Sequence, residues 1–406
     1  MFKFWNRINF RIIDLVPAFS GLIGKTALVT SFAFVWAQEL SITTPGFVFE
    51  NVRIEMMIAG IITFIFAILL PKTAPAGTLS PLIILVPAMA AFGVHPLILS
   101  VLVGVLGIVS VKTGMLKRLI QLSGKICKSS LPLVFGISGV ILSADKLLSF
   151  FKGYYIPLLI LFLILFTSYI LLFLYKRSWM IIPIAAVASV LIPFIFGLRI
   201  DVAATAMPLN FNPYYWWQEL WGIGFGLNID TILRTLPFAV FVVILWAVDT
   251  ISINAIIDTN FSSGECREEI DTDNSFIVVS VRNIIGGICG GAQTGALWRS
   301  YLIPLFMVKR PIRSSAILLG LMAIIASITS VPIKIMSFPP LIWSVLLFGI
   351  FVPFIIIGIK NLKTAGNISH KLSILILTAV GVVFSPMLTW IGAVCYEKIT
   401  EKINKK

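Results

Sequence analysis

Apolar runs, cut by short clusters of Gly, Pro and charge, fill nearly the whole chain. The longer runs reach the ~20 residues that a helix needs to cross a bilayer, so the pattern predicts membrane spans. In order they are 16–38, 54–71, a short broken one at 74–91, and 94–111, then 129–148, 154–175 and 178–198. An aromatic stretch, NPYYWWQELWGIGFG at 212–226, separates these from a second series. That series runs 236–258, 274–289, a short broken one at 293–307, then 313–332, 339–359, 370–384 and 386–397. The expectation is an all-α polytopic membrane protein of about fourteen segments, seven plus seven, with short half-helices at spans 3 and 10. The aromatic stretch is expected in the membrane interface, joining the halves, with a lid as the other reading.

Composition strengthens this picture. Hydrophobic residues are 59% and charged residues 12% of the 406, against the ~25% charged of a soluble domain. The formal charge of +14 raises the question of nucleic acid, but the distribution of basic residues answers it. With the N-terminus in the cytoplasm, twenty-two Lys and Arg fall in cytoplasmic segments and six in external ones. Such asymmetry is the signature of membrane orientation, and a wrong span count would scramble it. Both termini are therefore expected in the cytoplasm of a bacterial inner-membrane protein, with no nucleic-acid partner. The acidic loop GECREEIDTD at 264–273 departs from the bias, as a solvated connector or a partner site. Four scattered cysteines, no nucleophile triad, no Walker sequence and no metal-ligand spacing give no case for an enzyme or a structural metal.

The two broken segments carry the functional expectation. Span 3 reads PKTAPAGTLSP at 71–81, and span 10 opens on GGICGGAQTGALWRS at 286–300. Interrupted segments in matching places of two halves point to the substrate site of a secondary transporter. Seven spans per half put the second half in upside down, so the two half-helix N-termini would face each other near the midplane. The second is expected to open near Gln293 and Thr294. Converging positive dipole ends favour an anion. The expected substrate-binding residues are Phe19, Ser20, Ala76, Gly77, Thr78, Gln293, Thr294, Gly295 and Arg299. A glycine-rich helix contact is the alternative for the second break.

Ionisable residues inside spans are costly and tend to be functional. Asp249 lies in WAVDTISIN; with Thr250 and Ser252 it suits a coupling Na⁺ or proton, or else pairs with Arg299 or Lys25. Arg299 is either an oxyanion fork or the counter-charge of Asp249. Lys25 is a cavity cation or a structural partner. Arg282 is expected to reach the interface, His95 and His370 to lie at the surface, and Asp14 to be juxtamembrane without a role.

These stretches resemble a known group. NIIGGICGGAQTGALWRSYLIPL is similar to the tenth-helix segment of the sulfate permease (SulP) family of anion transporters. AVDTISINAIIDTN resembles that family's eighth helix, notably in its sodium-coupled bicarbonate branch, where an acidic residue at the position of Asp249 helps to hold Na⁺. GMLKRLIQLSGKICKSSLPLVFGISGVIL resembles its fourth-to-fifth helix passage, and PAGTLSP falls at its third, broken helix. The related uracil/xanthine permeases share the architecture, but usually carry an acidic residue where this chain has Arg299. The resemblance implies a 7+7 inverted repeat over 1–198 and 236–406 with a connector at 199–235. It implies a core of spans 1–4 and 8–11, and a gate of spans 5–7 and 12–14. The family's STAS domain is expected to be absent. The implied activity is elevator-type transport of a small anion (bicarbonate, sulfate or a small carboxylate) coupled to Na⁺ or H⁺, by a homodimer in lipid. The alternative is an H⁺-coupled nucleobase or vitamin-like permease in which Gln293 and Asp249 read ring atoms.

Overall fold

The computed structural model describes residues 10–175, 177–198, 208–258, 270–291 and 293–404, without the side chains of 251, 252, 254–258, 401, 403 and 404. The first half contains α1 (Leu15–Glu39), α2 (Phe47–Leu69), α3 (Val86–Ala91), α4 (Pro96–Lys112), α5 (Met115–Leu122), α6 (Lys125–Phe150), α7 (Tyr155–Leu174) and α8 (Ile181–Ile195). The second contains α9 (Ile229–Asp258), α10 (Thr272–Ile288), α11 (Arg299–Met307), α12 (Ile312–Thr329), α13 (Val331–Met336), α14 (Pro339–Leu346), α15 (Val352–Thr364), α16 (Ile368–Val383) and α17 (Pro386–Asn404). Among the described residues eight helical stretches are long and apolar enough to cross a membrane, and α4 with α5, bent by 90°, makes a ninth if the two are one span. The segments of α3, α10, α11, α16 and α17 complete the fourteen expected from the hydropathy pattern. Among the described residues the β-structure is a single antiparallel bridge, Ala76 to Leu297.

Packing follows an inverted repeat. α2 lies against α12 and α4 against α10, so span 2 meets span 11 as span 9 meets span 4. Exchanging the halves turns one contact into the other. The same exchange relates α1 on α12 to α9 on α4, and α7 on α8 to α16 on α17. Small residues permit the closest of these approaches: a Cβ on Gly60 would lie 2.9 Å from the Gly320 carbonyl, and one on Gly104 2.6 Å from that of Ser280. In lipid, where no hydrophobic effect drives helices together, such backbone proximity supplies the dispersion contact.

Three elements depart from expectation. α2 starts seven residues before the predicted span, because Glu50 and Arg53 pair at 2.8 Å one turn apart and so hide their charge. α5, MLKRLIQL, occupies what the hydropathy pattern left as a loop; Gly114, at φ +69°, turns the chain into it. The aromatic stretch forms one short π turn, Tyr215–Leu220, with Trp216 and Trp221 fully buried. The indole of Trp221 donates to the Gly290 carbonyl at 2.7 Å and that of Trp217 to the Ile288 carbonyl at 2.7 Å. The connector is thus fastened to the carbonyl end of α10, satisfying groups a helix terminus leaves open.

Candidate functional site

The two broken segments meet as a ribbon. Pro75 and Pro81 lack the N–H that a helix would use, and residues 75–79 run extended beside 294–298. Gly77 N–H donates to the Ala296 carbonyl at 2.7 Å, Leu79 N–H to Thr294 at 2.9 Å and Trp298 N–H to Pro75 at 3.0 Å. The last two bonds are images of each other under exchange of the halves, with Pro75 equivalent to Thr294 and Leu79 to Trp298. Broken backbone inside a membrane must be satisfied by protein, and each strand here satisfies the other. Gly77 is obligatory: a Cβ would lie 2.4 Å from the Trp298 Cα. Beyond the ribbon, a 3₁₀ turn at Ser80–Leu85 leads into α3, and the other strand leads into α11.

α11 therefore begins at Arg299, not near Gln293 and Thr294, because the strand pairing holds the backbone extended up to Trp298. Gln293, Thr294 and Gly295 lie in the strand, as do Ala76, Gly77 and Thr78 opposite, all of them buried. α1 packs against this region through Gly21 and Gly24. The Trp298 indole donates to the Gly21 carbonyl at 3.0 Å, and a Cβ on Gly24 would overlap Ser300 at 2.5 Å. Each strand is also held by a donor from the first helix of its own half. Lys25 Nζ donates to the Ala76 carbonyl at 3.0 Å, and Trp246 Nε1 to the Gly295 carbonyl at 2.9 Å. Lys25 also lies 4.6 Å from the centroid of the Trp298 ring.

Behind the second strand lies a buried polar knot that the sequence pattern did not reveal. Arg282 of α10 pairs with Glu55 of α2, both with no exposed side-chain surface. Gln293 Nε2 donates to the same Glu55 oxygen at 2.9 Å, and Arg282 Nη1 to the Gln293 carbonyl at 3.2 Å. Asn283 Oδ1 accepts the Gly295 N–H at 2.6 Å. Arg282 thus belongs to the interior and not to the interface. A buried pair of this kind contributes little net stability, but losing one partner strands the other charge. The signal in sequence is an acid at the start of an apolar run, Glu55 in IEMMIAG, which looks like the edge of a span when its partner is more than two hundred residues away.

The second pair is looser. Arg299 Nη1 lies 3.4 Å from Asp249 Oδ1, and the guanidinium carbon stands 4.1 Å from the Phe354 ring centroid on α15. Arg299 Nη2 is buried with no hydrogen-bond partner among the described residues. Thr250 turns its hydroxyl back to the Trp246 carbonyl at 2.8 Å, so it is committed to its own helix. The side chain of Ser252 lies outside the described residues. Among the described residues the buried hydroxyls of Ser20 and Thr78 have no partner, whereas Phe19 is half-exposed. The ribbon thus gathers Lys25, Ala76, Gly77, Thr78, Gln293, Thr294 and Gly295, with the Asp249–Arg299 pair at its far end.

Asp14 has a partner after all. Its carboxylate accepts from Arg310 Nε at 2.7 Å and Nη2 at 2.8 Å, tying the start of α1 to the chain just after α11. His95 is packed beneath the connector: a Cβ on Gly226 would lie 2.4 Å from its ring. Most of the acidic loop, 264–269, lies outside the described residues.

Two solved structures share this architecture. The transmembrane domain of the cyanobacterium bicarbonate transporter BicA superposes with a TM-score of 0.60 at 14% identity, covering 95% of this chain and 98% of that one. The murine anion transporter Slc26a9, in its inward-facing state, superposes with a TM-score of 0.58 at 10% identity, covering 98% of this chain and 69% of that one. No curated protein matches the sequence. At these identities the likeness establishes the fold, a multi-pass inverted repeat. Residues 5–399 match the family described as "Protein of unknown function (DUF3360)", and the chain belongs to that family.

Proposed function

We propose that this chain is a secondary transporter of a small anion, working by alternating access. The observation that carries the proposal is Arg299. A cation at the first position of a helix opposes the helix dipole, by about 0.3–1 kcal/mol, so helix stability does not account for it. Its contact with Asp249 is long, and one of its buried nitrogens has no hydrogen-bond partner among the described residues. A guanidinium with a free edge at a helix N-terminus is suited to an oxyanion. Two of the solved structures that share the fold are a bicarbonate transporter and an anion transporter, which supports the same class.

Coupling follows from the pair. When an anion takes the guanidinium, Asp249 loses its counter-charge and becomes free to take a Na⁺ ion or a proton. The helices around the ribbon (α1–α4 and α9–α12) would form the core, and α6–α8 with α14–α17 the gate. Arg299 over Phe354 then spans their boundary, and an elevator-type movement of the core carries the ribbon across. We further propose a homodimer in a bacterial inner membrane with both termini cytoplasmic. The nucleobase alternative is less well supported, since the Gln293 Nε2 that would donate to a ring atom is engaged by Glu55.

The test is uptake of labelled bicarbonate, sulfate or formate into proteoliposomes, with binding followed by thermal shift. Arg299→Gln should reduce uptake about a hundredfold or more, the loss of a charged hydrogen-bond partner (about 3 kcal/mol), with Arg299→Lys retaining part of it. Uptake of uracil or xanthine, with no response to any anion, would overturn the proposal.

A further inference from the structure

The two strands of the ribbon are held in equivalent ways by unlike groups. Ala76 and Gly295 occupy matching positions, and each carbonyl accepts one bond from the first helix of its own half. In the second half the donor is a neutral indole. A neutral donor therefore suffices to hold a strand, and the positive charge of Lys25 is not required for that task. A lysine nevertheless stands there, on a side chain with no exposed surface.

The charges around the ribbon do not cancel. Glu55 is taken by Arg282, and Asp249 faces Arg299. Lys25 has no acidic partner among the described residues; it has a carbonyl and an aromatic face. The described side chains of this region thus comprise three basic groups against two acidic ones. An uncompensated charge inside a membrane protein is expensive, and a carrier must move its site through that environment.

We infer that Lys25 supplies the counter-charge of the transported anion, acting through the field and not by contact. The inference rests on the anion proposal and narrows it to a rule of valence. The loaded ribbon is neutral only when the anion's charge exceeds by one the number of monovalent cations bound with it. A monoanion then needs no co-bound cation. A dianion needs one, a sodium ion or a proton, and Asp249 is the group that takes it.

The rule is tested by thermal shift on purified protein at mildly alkaline pH, with nitrate, formate and sulfate as probes. Each is offered as its sodium salt and as its N-methyl-D-glucamine salt. In the native protein the monoanions raise Tm with either cation, whereas sulfate does so only with sodium present or on acidification. Lys25→Gln keeps a donor for the Ala76 carbonyl and removes the charge. It should weaken monoanion binding about tenfold or more without sodium and recover it when sodium is added. Lys25→Arg should behave as the native protein. Monoanion binding to Lys25→Gln that is unchanged and indifferent to sodium would sink the inference while leaving anion transport intact. If Lys25→Gln does not fold, the native protein still decides: a sodium requirement for nitrate or formate overturns the rule, and indifference to sodium upholds it. Failure of every anion, with either cation, removes the transport proposal and this inference together.

Discussion

His95 sits just before α4 with its ring pressed toward Gly226 of the connector. Burial there pushes its pKa down. The folded protein thus binds a proton at this site less readily than the unfolded chain, whose histidine titrates near ~6.5. His95 therefore contributes full stability above about pH 6.5, and that contribution is lost as pH falls through the lowered folded value. Thermal unfolding between about pH 7 and 5 should show this decline, and His95→Gln should flatten it. An unaltered slope would place the acid sensitivity elsewhere. The sequence did not reveal this burial, because the neighbours of His95 come from a connector more than a hundred residues away. Glu55 and Arg282 were obscured for the same reason. Hydropathy scores each charge alone, and a charge answered by a distant partner looks like the edge of a span.

At the scale of elements, what was legible was whatever the chain states locally. Pro75, Gly77 and Gly295 mark backbone that cannot continue a helix, and both breaks were placed correctly from them. The strand pairing was not legible, since each strand is defined only by the other. That is why α11 starts later than its glycines suggest: the six residues 293–298 are needed to pair with 75–79 and to reach Asn283 and Glu55. The amphipathic α5 was missed because eight residues of mixed polarity carry little span signal. The ribbon makes a sharp prediction. The Cβ of Gly77→Ala would fall 2.4 Å from the Trp298 Cα and 2.9 Å from the Leu297 carbonyl oxygen, both backbone atoms. Relief requires the strands to part, so the variant should lose about 1–3 kcal/mol of stability and its anion-induced rise in Tm. A Gly77→Ala protein with native Tm and native anion response would mean that the ribbon is not the rigid base of the site. Gly366, with no atom within 4 Å of its added Cβ, supplies the control: Gly366→Ala should change neither.

For the molecule as a whole, the decisive contact is the one between Arg299 on α11 and Phe354 on α15. The fourteen segments and their inverted order were readable from hydropathy and charge asymmetry, because those are sums over many residues. How two groups of helices touch depends on a few side chains and was not readable. If α1–α4 with α9–α12 move against the remainder, the stacking of guanidinium on ring must break once in every cycle. Such a cation–π contact is worth about 0.5–2 kcal/mol, and it stabilises the described arrangement by that amount over any in which the pair is apart. Phe354→Leu should therefore shift the population toward the other arrangement by roughly twofold to thirtyfold. Spin labels at the exposed Phe92, following α3, and Leu148, near the end of α6, would report it as a second distance in a cysteine-free background. Saturating anion should redistribute the same two populations, because it competes for the same guanidinium. A single unchanged distance in the native protein, in Phe354→Leu and with anion would mean that the two groups form one rigid body. The site would then have to open by a local route, through the residues around Arg299, and not by movement of the core.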